Sequence, residues 1–481
     1  MPPSPANFHL SVPLKISQIE IWIAFRTLLL LIRQKLRVIS SWMKLPETAP
    51  TISEMINSLS QDGLTRAMDS QLKDEYWHWD ELKYRASPEG MSREEWWAAL
   101  KIKRFAGKKS IGLSDKSGKP FRFSIPDKIA KQLHEIDLGA GGRIGIPDPV
   151  TNPDTRDQYL IRSLMDEAIT SSQLEGAVTT REVAKDMLRS GRSPKDKSEK
   201  MILNNYRTMR RIREIRNQRL TPELILELHL MVTDDTLEKQ DAPGRLRRED
   251  ELVTIEDDSG EIMHLPPTAS ELSERMVAMC AFANGEPAEP FIHPAVRAMI
   301  LHFWLAYDHP FVDGNGRTAR ALFYWAMLHS DYWLFEYISI SDVLKRAPVK
   351  YYRAFLHTET DENDLTYFLL HQSEVIRKAI ESLHDYISRK TREARETERI
   401  LRDMRHLNPR QQVILSHALH HPSVVYTIEG HQRSHDIAYN TARTDLLDLA
   451  AQGLFEQRKS GKKMIFHASI SLEQVLREAN Q

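Results

Sequence analysis

The segment at residues 309–320, HPFVDGNGRTAR, brings together side chains and glycines suited to phosphate chemistry. His309 titrates near neutral pH in an ordinary environment, so it can remove a proton from an attacking hydroxyl. Gly314, Asn315 and Gly316 allow backbone N–H groups to turn inward at the start of a helix, which predicts a concavity for anions. The segment therefore indicates a base placed beside a phosphate site.

Two arginines and a carboxylate complete this set. Arg317 and Arg320 lie three residues apart, and with a helix predicted to begin at Thr318 both guanidinium groups can reach one phosphate chain. Asp313 supplies a hard oxygen ligand for Mg²⁺ or Mn²⁺. Each residue alone has an ordinary explanation as a helix cap, a turn residue or half of a surface ion pair. Their occurrence together favours transfer of a phosphate-linked group.

The segment resembles the signature of the Fic family, His-x-Phe-x-Asp/Glu-Gly-Asn-Gly-Arg-x-x-Arg, at every defined position. The runs HPAVRAMILHFWLAY, LILELH, DAPGRLR and DLTYFLL are also similar to the family, so the resemblance covers roughly residues 158–390. It implies a mainly α fold with a Fic-type helical bundle as core, and ATP as substrate. The roles it implies are a base for His309, a loop anchor for Phe311, a metal ligand for Asp313, an anion site for Gly314, Asn315 and Gly316, and phosphate binding for Arg317 and Arg320.

Residues 156–174 predict an amphipathic helix that closes with SSQLEG at residues 171–176. This ending resembles the inhibitory motif of the same family, Ser/Thr-x-x-x-Glu-Gly/Asn. By that resemblance Ser171, Glu175 and Gly176 form a brake in which Glu175 pairs with Arg320, so that ATP binds unproductively. The alternative is an exposed glutamate at the end of an ordinary helix. The same carboxylate could also orient water for removal of AMP, and the sequence leaves both directions open.

Residues 252–265, LVTIEDDSGEIMHL, predict two short strands around a turn at Asp258, Ser259 and Gly260. In the Fic family such a hairpin is a flap that pairs with the backbone of a target protein. Strand addition of this kind tolerates many sequences, since the backbone supplies the hydrogen bonds. The resemblance therefore implies a target protein that presents a Tyr, Thr or Ser hydroxyl.

The rest of the chain predicts a modular protein. Residues 49–150 form a small α+β domain rich in tryptophan, residues 151–390 the catalytic core with its inhibitory helix at 156–176, and residues 391–406 a charged linker helix. Residues 407–481 predict a winged helix-turn-helix, with a helix that starts at Ser434 and strands LFEQR and KMIFH around a wing turn at 459–462. From Leu407 to His467 seven Lys and Arg stand against five acidic residues, which leaves DNA binding open.

Composition sets outer limits on the function. With 481 residues, 41% of them hydrophobic, the chain can build several cores, and its net charge of -1 gives no overall attraction to nucleic acid or anionic lipid. The single cysteine, Cys280, predicts a reducing compartment, namely the cytoplasm. Residues 1–48 form an extension whose apolar part is too interrupted by charges to span a membrane. We interpret residues 1–42 as an amphipathic surface helix or as an untranslated segment before Met43.

The sequence thus predicts an auto-inhibited protein adenylyltransferase that transfers AMP from ATP to a hydroxyl of a target protein or of itself. One alternative is a de-AMPylase, or a transferase of another phosphate-linked group. A different class of alternative is a DNA-binding regulator whose Fic core senses nucleotide. Formation of a homodimer is left open.

Overall fold

The computed structural model describes residues 44–69, 72–141, 153–256, 260–288, 290–404, 406–421, 424–460, 463–469 and 471–478. Over these ranges the chain is mainly helical with three small antiparallel sheets, which confirms the predicted fold class. The predicted extension over residues 1–42 and the predicted boundary at residue 150 both lie outside the described residues. No helix within these ranges is long and apolar enough to cross a membrane.

The amino-terminal elements run from a tryptophan-rich helical group to a hairpin and one further helix. They are α1 (Ile52–Ser58), α2 (Gln61–Asp69), α3 (Trp79–Leu82), α4 (Arg93–Phe105), β1 (Lys109–Ser114), β2 (Pro120–Phe123) and α5 (Asp127–Ile136). Trp79, Trp96 and Trp97 pack into a small cluster of their own, as core aromatics do. Phe121 and Phe123 of the hairpin instead join the large central core. The hairpin is therefore part of the wall of the central bundle.

The central elements surround one long buried helix. They are α6 (Pro153–Leu174), α7 (Arg181–Ser190), α8 (Lys197–Glu214), α9 (Pro222–Thr233), β3 (Ile255–Glu256), β4 (Ile262–His264), α10 (Leu272–Ala283), α11 (Pro294–Asp308), α12 (Asn315–His329), α13 (Ile340–Arg346), α14 (Pro348–Thr360) and α15 (Thr366–Asp403). Helix α11 starts with Pro294 in its first turn, where a missing N–H costs nothing. The apolar face predicted for it is buried throughout: Val296, Met299, Ile300, Phe303, Trp304 and Tyr307.

Helix α15 is longer than the sequence predicted. It runs through residues 391–403 without a break, so the predicted linker is the carboxy-terminal part of a core helix. Glycine and proline are absent from the helix, and charged pairs such as Arg377 with Glu374 and Lys390 with Glu393 support its surface at a spacing of three. Its last turn supplies Leu401 to the core of the following unit.

The carboxy-terminal unit contains α16 (Pro409–His420), β5 (Val425–Thr427), α17 (Ile428–His435), α18 (Tyr439–Ala451), β6 (Phe455–Ser460), β7 (Lys463–Ala468) and α19 (Leu472–Glu478). Its sheet has the order β5-β7-β6. The helix predicted from Ser434 is wrong in its start, because Asp436 adopts φ 48° and separates two helices there. Strand β5 was not predicted, and Gly461 and Lys462 of the wing turn lie outside the described residues. The winged-helix assignment stays a prediction.

A buried ionic cluster joins the tryptophan-rich group to the central bundle. Lys101 of α4 is 2% exposed and its Nζ lies 2.6 Å from Oδ1 of Asp361 and 2.7 Å from Oε2 of Glu362. The hydroxyl of Tyr367 donates to the other Asp361 oxygen at 2.8 Å. Burial lowers the pKa of Lys101, but the two carboxylates outweigh it and hold that pKa above its usual value. The lysine therefore stays charged and depends on its partners.

We expect Asp361→Ala to lower the free energy of unfolding by about 3–5 kcal/mol, since it leaves a buried cation without its closest partner. Glu362→Ala is the matched control because the Glu362 side chain is 26% exposed, so its loss should cost about 1 kcal/mol or less. Urea denaturation of both variants checks this expectation. Equal losses would show that the cluster is not what holds the two parts together.

Candidate active site

The loop between α11 and α12 is held by packing and by one amide side chain. Phe311 is fully buried and stacks on the ring of His229 in α9, with ring centroids 3.6 Å apart. The Asn315 side chain accepts from the Phe311 N–H at 2.9 Å and donates to the Phe311 carbonyl at 2.8 Å. The side chain of Asn315 is therefore used to hold the loop, which leaves its backbone N–H as the group that it can offer to the predicted anion site. His229 also bonds the Asp313 carbonyl through Nε2 at 2.9 Å.

Two glycines set how closely other groups approach the start of α12. This helix begins at Asn315, three residues before the predicted start at Thr318. Gly314 adopts φ 86°, and a Cβ there would lie 2.6 Å from Thr233. A Cβ on Gly316 would lie 2.1 Å from Oε1 of Glu175. Because Gly314 and Gly316 have no side chains, other groups can approach the amide end of α12 closely. The Glu175 carboxylate is the group that lies against it in this structure.

His309 closes α11 in the left-handed region with φ 45°, and its ring is only partly exposed. Nδ1 lies 3.3 Å from the Ala306 carbonyl, which can only accept, so Nδ1 carries the proton and Nε2 the lone pair. Burial lowers the pKa of His309 to about 4, with His264 and Arg247 contributing in the same direction. The sequence predicted titration near neutrality, and desolvation is why the structure departs from that. The imidazole is ready to accept a proton at neutral pH.

Arg247 fixes the backbone on which His309 stands, a contact that residue types alone did not reveal. Its Nε donates to the His309 carbonyl at 3.0 Å, and its backbone N–H donates to the Pro310 carbonyl at 2.9 Å. The same guanidinium donates to the carbonyl of Pro267. His229 and Arg247 lie in the runs LILELH and DAPGRLR, which were noted for their similarity to a family but were given no role. That similarity was the signal for both residues.

Arg320 is gripped by the end of helix α6. It is 1% exposed, and its Nε donates to the Ser171 hydroxyl at 2.8 Å. Its Nη2 donates to the Ser171 carbonyl at 3.0 Å and to Oε1 of Glu175 at 2.8 Å. Glu175 follows the last residue of α6, and Gly176 adopts φ 91° as the chain turns away. The structure therefore brings Glu175 and Arg320 together, as the family resemblance implied, and adds Ser171 as a further partner of Arg320.

Arg317 is buried, and only part of its guanidinium group is hydrogen-bonded among the described residues. It is 1% exposed, and its Nη1 donates to the Val232 carbonyl at 2.8 Å. Within the described residues its Nε and Nη2 have no hydrogen-bond partner, and Asp313 Oδ1 is 3.9 Å from Nη2. Burial lowers the pKa of Arg317 by more than the Asp313 and Glu175 carboxylates raise it, and Arg320 adds to the decrease. A phosphate is the kind of group that would satisfy these donors.

Asp313 is the one predicted metal ligand. Its side chain is 51% exposed, and Oδ1 accepts from the Gly314 N–H at 2.5 Å. No group of three potential metal-binding His, Cys, Asp or Glu side chains occurs in the parts of the chain that are described. Mg²⁺ is often held by one or two carboxylates together with water and substrate phosphates, so a single exposed aspartate suits an ion that arrives with a nucleotide.

The predicted hairpin lies next to His309. Strands β3 and β4 pair antiparallel, with Ile255 opposite His264. Asp258 and Ser259 of its predicted turn lie outside the described residues. Met263 is buried against Leu356, and His264 bonds Glu359 through Nδ1 at 2.7 Å and the Tyr307 carbonyl through Nε2 at 2.8 Å. The second strand is thereby anchored to the core at the end of α11.

Comparison with known proteins fits this geometry. Residues 219–327 match the profile of the Fic/DOC family. Two curated relatives are named protein adenylyltransferase Fic: one from Nematostella vectensis is 42% identical over 59 residues, and one from Drosophila melanogaster is 36% identical over 69 residues. These matches cover 12% and 14% of this chain and 14% of each relative, so the chain spans about a seventh of the relatives' length.

Two solved structures overlap a larger share of the chain. A Fic family protein from Desulfovibrio desulfuricans G20 is 16% identical with a TM-score of 0.47, covering 74% of this chain and 99% of that one. Fic-1 from C. elegans is 19% identical with a TM-score of 0.42, covering 54% of this chain and 70% of that one. The region that matches the Fic/DOC family profile spans α9, the hairpin, α11, the loop and nearly all of α12, so the similarity to this family covers the candidate active site.

Proposed function

We propose that this protein transfers AMP from ATP to a Tyr, Thr or Ser hydroxyl of a protein, including itself, and that Glu175 restrains the reaction. The observation that carries the proposal is the pair of buried guanidinium groups on α12. Among the residues that the structure describes, Nε and Nη2 of Arg317 have no hydrogen-bond partner, and Arg320 is occupied by a carboxylate at the amide end of the same helix. Such donors match the charge and the geometry of a nucleotide's phosphate chain.

The proposed reaction follows from the position of His309. The target hydroxyl would attack the α-phosphorus of ATP as Nε2 of His309 takes its proton. The bond between the α-phosphorus and the bridging oxygen breaks, and pyrophosphate leaves. The amides of Gly314, Asn315 and Gly316 and the two arginines would hold the phosphate oxygens. Asp313 would hold Mg²⁺ or Mn²⁺, which would neutralise part of the phosphate charge.

The hairpin of β3 and β4 gives the target a place to lie. It is two short strands beside His309, so an extended segment could add to its edge and present a hydroxyl to the base. Removal of AMP by water, and transfer of a different phosphate-linked group, use the same donors and the same base. The resemblance to adenylyltransferases named as such favours AMP transfer among these alternatives.

The first expectation concerns the base. His309→Ala should slow self-labelling by about 10²- to 10⁴-fold while leaving ATP binding nearly unchanged, because the base acts on the hydroxyl. With a pKa of about 4, His309 is already neutral at pH 6, so kcat/KM should show no loss between pH 8 and 6 from its protonation. The control is His329→Ala, at the end of α12. Unchanged labelling in His309→Ala would remove this residue from the mechanism.

The second expectation concerns the brake. Glu175→Gly should raise AMP incorporation, because it frees Arg320 for the γ-phosphate. Arg320→Ala should be inactive, alone and together with Glu175→Gly, since removal of the carboxylate cannot restore a missing phosphate clamp. The measurement is the incorporation of label from labelled ATP by wild type, the two single variants and the double variant. Glu175→Gln, which keeps size but loses charge, should fall between wild type and Glu175→Gly.

Equal labelling by wild type and Glu175→Gly at saturating Mg²⁺-ATP would reject the inhibitory role. Strong labelling by the double variant would reject the role given to Arg320.

We also propose that the carboxy-terminal unit binds duplex DNA. One face of α18 is buried through Ala442, Asp445 and Leu446, and the opposite face exposes Arg443 and Thr444. The first turn of α18 carries no acidic residue and no side-chain cap, so its N–H groups can meet phosphate oxygens. This observation favours a nucleic-acid partner for the unit, in addition to the transfer reaction.

Arg443→Ala should weaken binding of a labelled duplex and lower the slope of log K against log salt by about 1 if the side chain meets a phosphate. The exposed Arg395 on α15 provides the control variant, Arg395→Ala, which should leave the slope unchanged. Fluorescence anisotropy at several salt concentrations gives both values. Absence of any salt-dependent binding by the wild type would reject a DNA partner.

A further inference from the structure

Helix α6 meets α12 through a regular ladder of polar side chains. Glu167, Ser171 and Glu175 follow each other at a spacing of four, so the first two share a face of α6 and Glu175 continues their line just beyond its end. Arg320 and Tyr324 have the same spacing on α12. The rungs run antiparallel: Glu175 and Ser171 bond Arg320, while Glu167 bonds Tyr324.

The Glu167 rung is the most heavily bonded part of this ladder. Glu167 is 2% exposed, and its Oε2 accepts from the hydroxyl of the fully buried Tyr324 at 2.9 Å. The same oxygen accepts from the Ser339 hydroxyl at 2.8 Å and from the Ser341 N–H at 3.1 Å. Its Oε1 accepts from the Ser341 hydroxyl at 2.5 Å. One carboxylate thus fastens α6 both to α12 and to the start of α13.

The Glu175 end of the ladder has much weaker support of its own. Glu175 lies beyond the last residue of α6, beside a glycine at φ 91°, and its side chain is 26% exposed. Its carboxylate makes one hydrogen bond to Arg320, at 2.8 Å. A helix rises about 1.5 Å and turns about 100° per residue, so a small slip or rotation of α6 would break that bond. The position of Glu175 therefore depends on what holds α6.

We propose that Glu167 is the positioning residue of the brake: through Tyr324 and Ser341 it fixes the depth and rotation of α6 at which Glu175 reaches Arg320. The inference rests on the proposed function for its catalytic readout and concerns regulation of the same site. The hydrogen bonds of Glu167 go to Tyr324, Ser339 and Ser341 and not to His309, Arg317 or Arg320, so in this proposal its main effect is to set where Glu175 lies. A buried charged acceptor suits this task, because each hydrogen bond to it is worth about a factor of ten or more in an equilibrium constant.

The test removes two donors to Glu167 and leaves the packing nearly unchanged. In the full chain, the double variant Tyr324→Phe with Ser341→Ala should raise the initial rate of self-labelling by up to about 10-fold, without exceeding the rate of Glu175→Gly. Added to Glu175→Gly, the same two changes should give no further rise, since the brake is already gone. Tyr332→Phe is the matched control, because Tyr332 is a buried tyrosine whose hydroxyl donates to Asp137 at 2.5 Å and not to Glu167.

A second readout needs no catalysis. Amide hydrogen exchange of the peptide over residues 165–178 should speed up in the double variant and stay at the wild-type rate in Tyr332→Phe. Faster labelling with faster exchange supports the proposal. Unchanged labelling and exchange in the double variant, with a raised rate in Glu175→Gly, would overturn it and leave the proposed function standing. A lowered rate in both backgrounds would mean that Glu167 serves the fold alone, and this too would overturn it.

The proposed function is tested separately from this inference. If neither Glu175→Gly nor wild type labels any protein, the proposed function fails, while the exchange data still decide whether Glu167 positions the end of α6. Glu167→Gln, which keeps size and loses charge, repeats the exchange test if the double variant proves too unstable to purify. Exchange unchanged in Glu167→Gln would count against the proposal in the same way.

Discussion

The contact on which the site depends is the buried guanidinium of Arg320. A cation that is 1% exposed loses most of its hydration, and this cost is offset only by anionic or strongly polar partners at close range. Ser171 supplies a hydroxyl and a carbonyl, and Glu175 supplies the negative charge. Burial lowers the pKa of Arg320, but Glu175, together with Tyr351 and Glu167, more than compensates and raises that pKa above its usual value. The arginine therefore stays charged, and Glu175 is the carboxylate that pairs with it in this structure.

The charge state and the position of the His309 loop are also set by burial and by neighbouring side chains. The imidazole of His309 is kept neutral by desolvation and by His264 and Arg247, and its backbone is held from outside by Arg247. Phe311 and His229 fix the loop by stacking, so the amides at the start of α12 are in place before any ligand arrives. Donors that are already oriented need no reorganisation when charge develops near them. The fold thus places a neutral imidazole and the positively polarised start of α12 at one site.

The sequence predicted the parts of this site whose chemistry is local. The helix end at His309 and the turn at Gly314 could be predicted from residue types and spacing, whereas the pairing of Glu175 with Arg320, which lie 145 positions apart, was implied only by the resemblance to the Fic family. The role of Asn315 could not, because an asparagine side chain turns toward whichever backbone group tertiary packing brings near. The same reason hid His229 and Arg247, which lie 80 and 62 positions before His309. The helix start at Tyr439 was missed because Asp436 adopts a left-handed conformation that a sequence pattern does not show.

The length of α15 has a consequence for how the central core and the carboxy-terminal unit are oriented relative to each other. Its 38 residues span about 57 Å at about 1.5 Å per residue, and they join the central core to the carboxy-terminal unit without a hinge. Phe368 and Ile376 near its start belong to the first core, and Leu401 near its end belongs to the second. Because the helix is continuous, the rotation between its two ends is fixed. A single inserted residue in its exposed middle would turn everything beyond it by about 100°, so its residue count sets the direction in which α18 points.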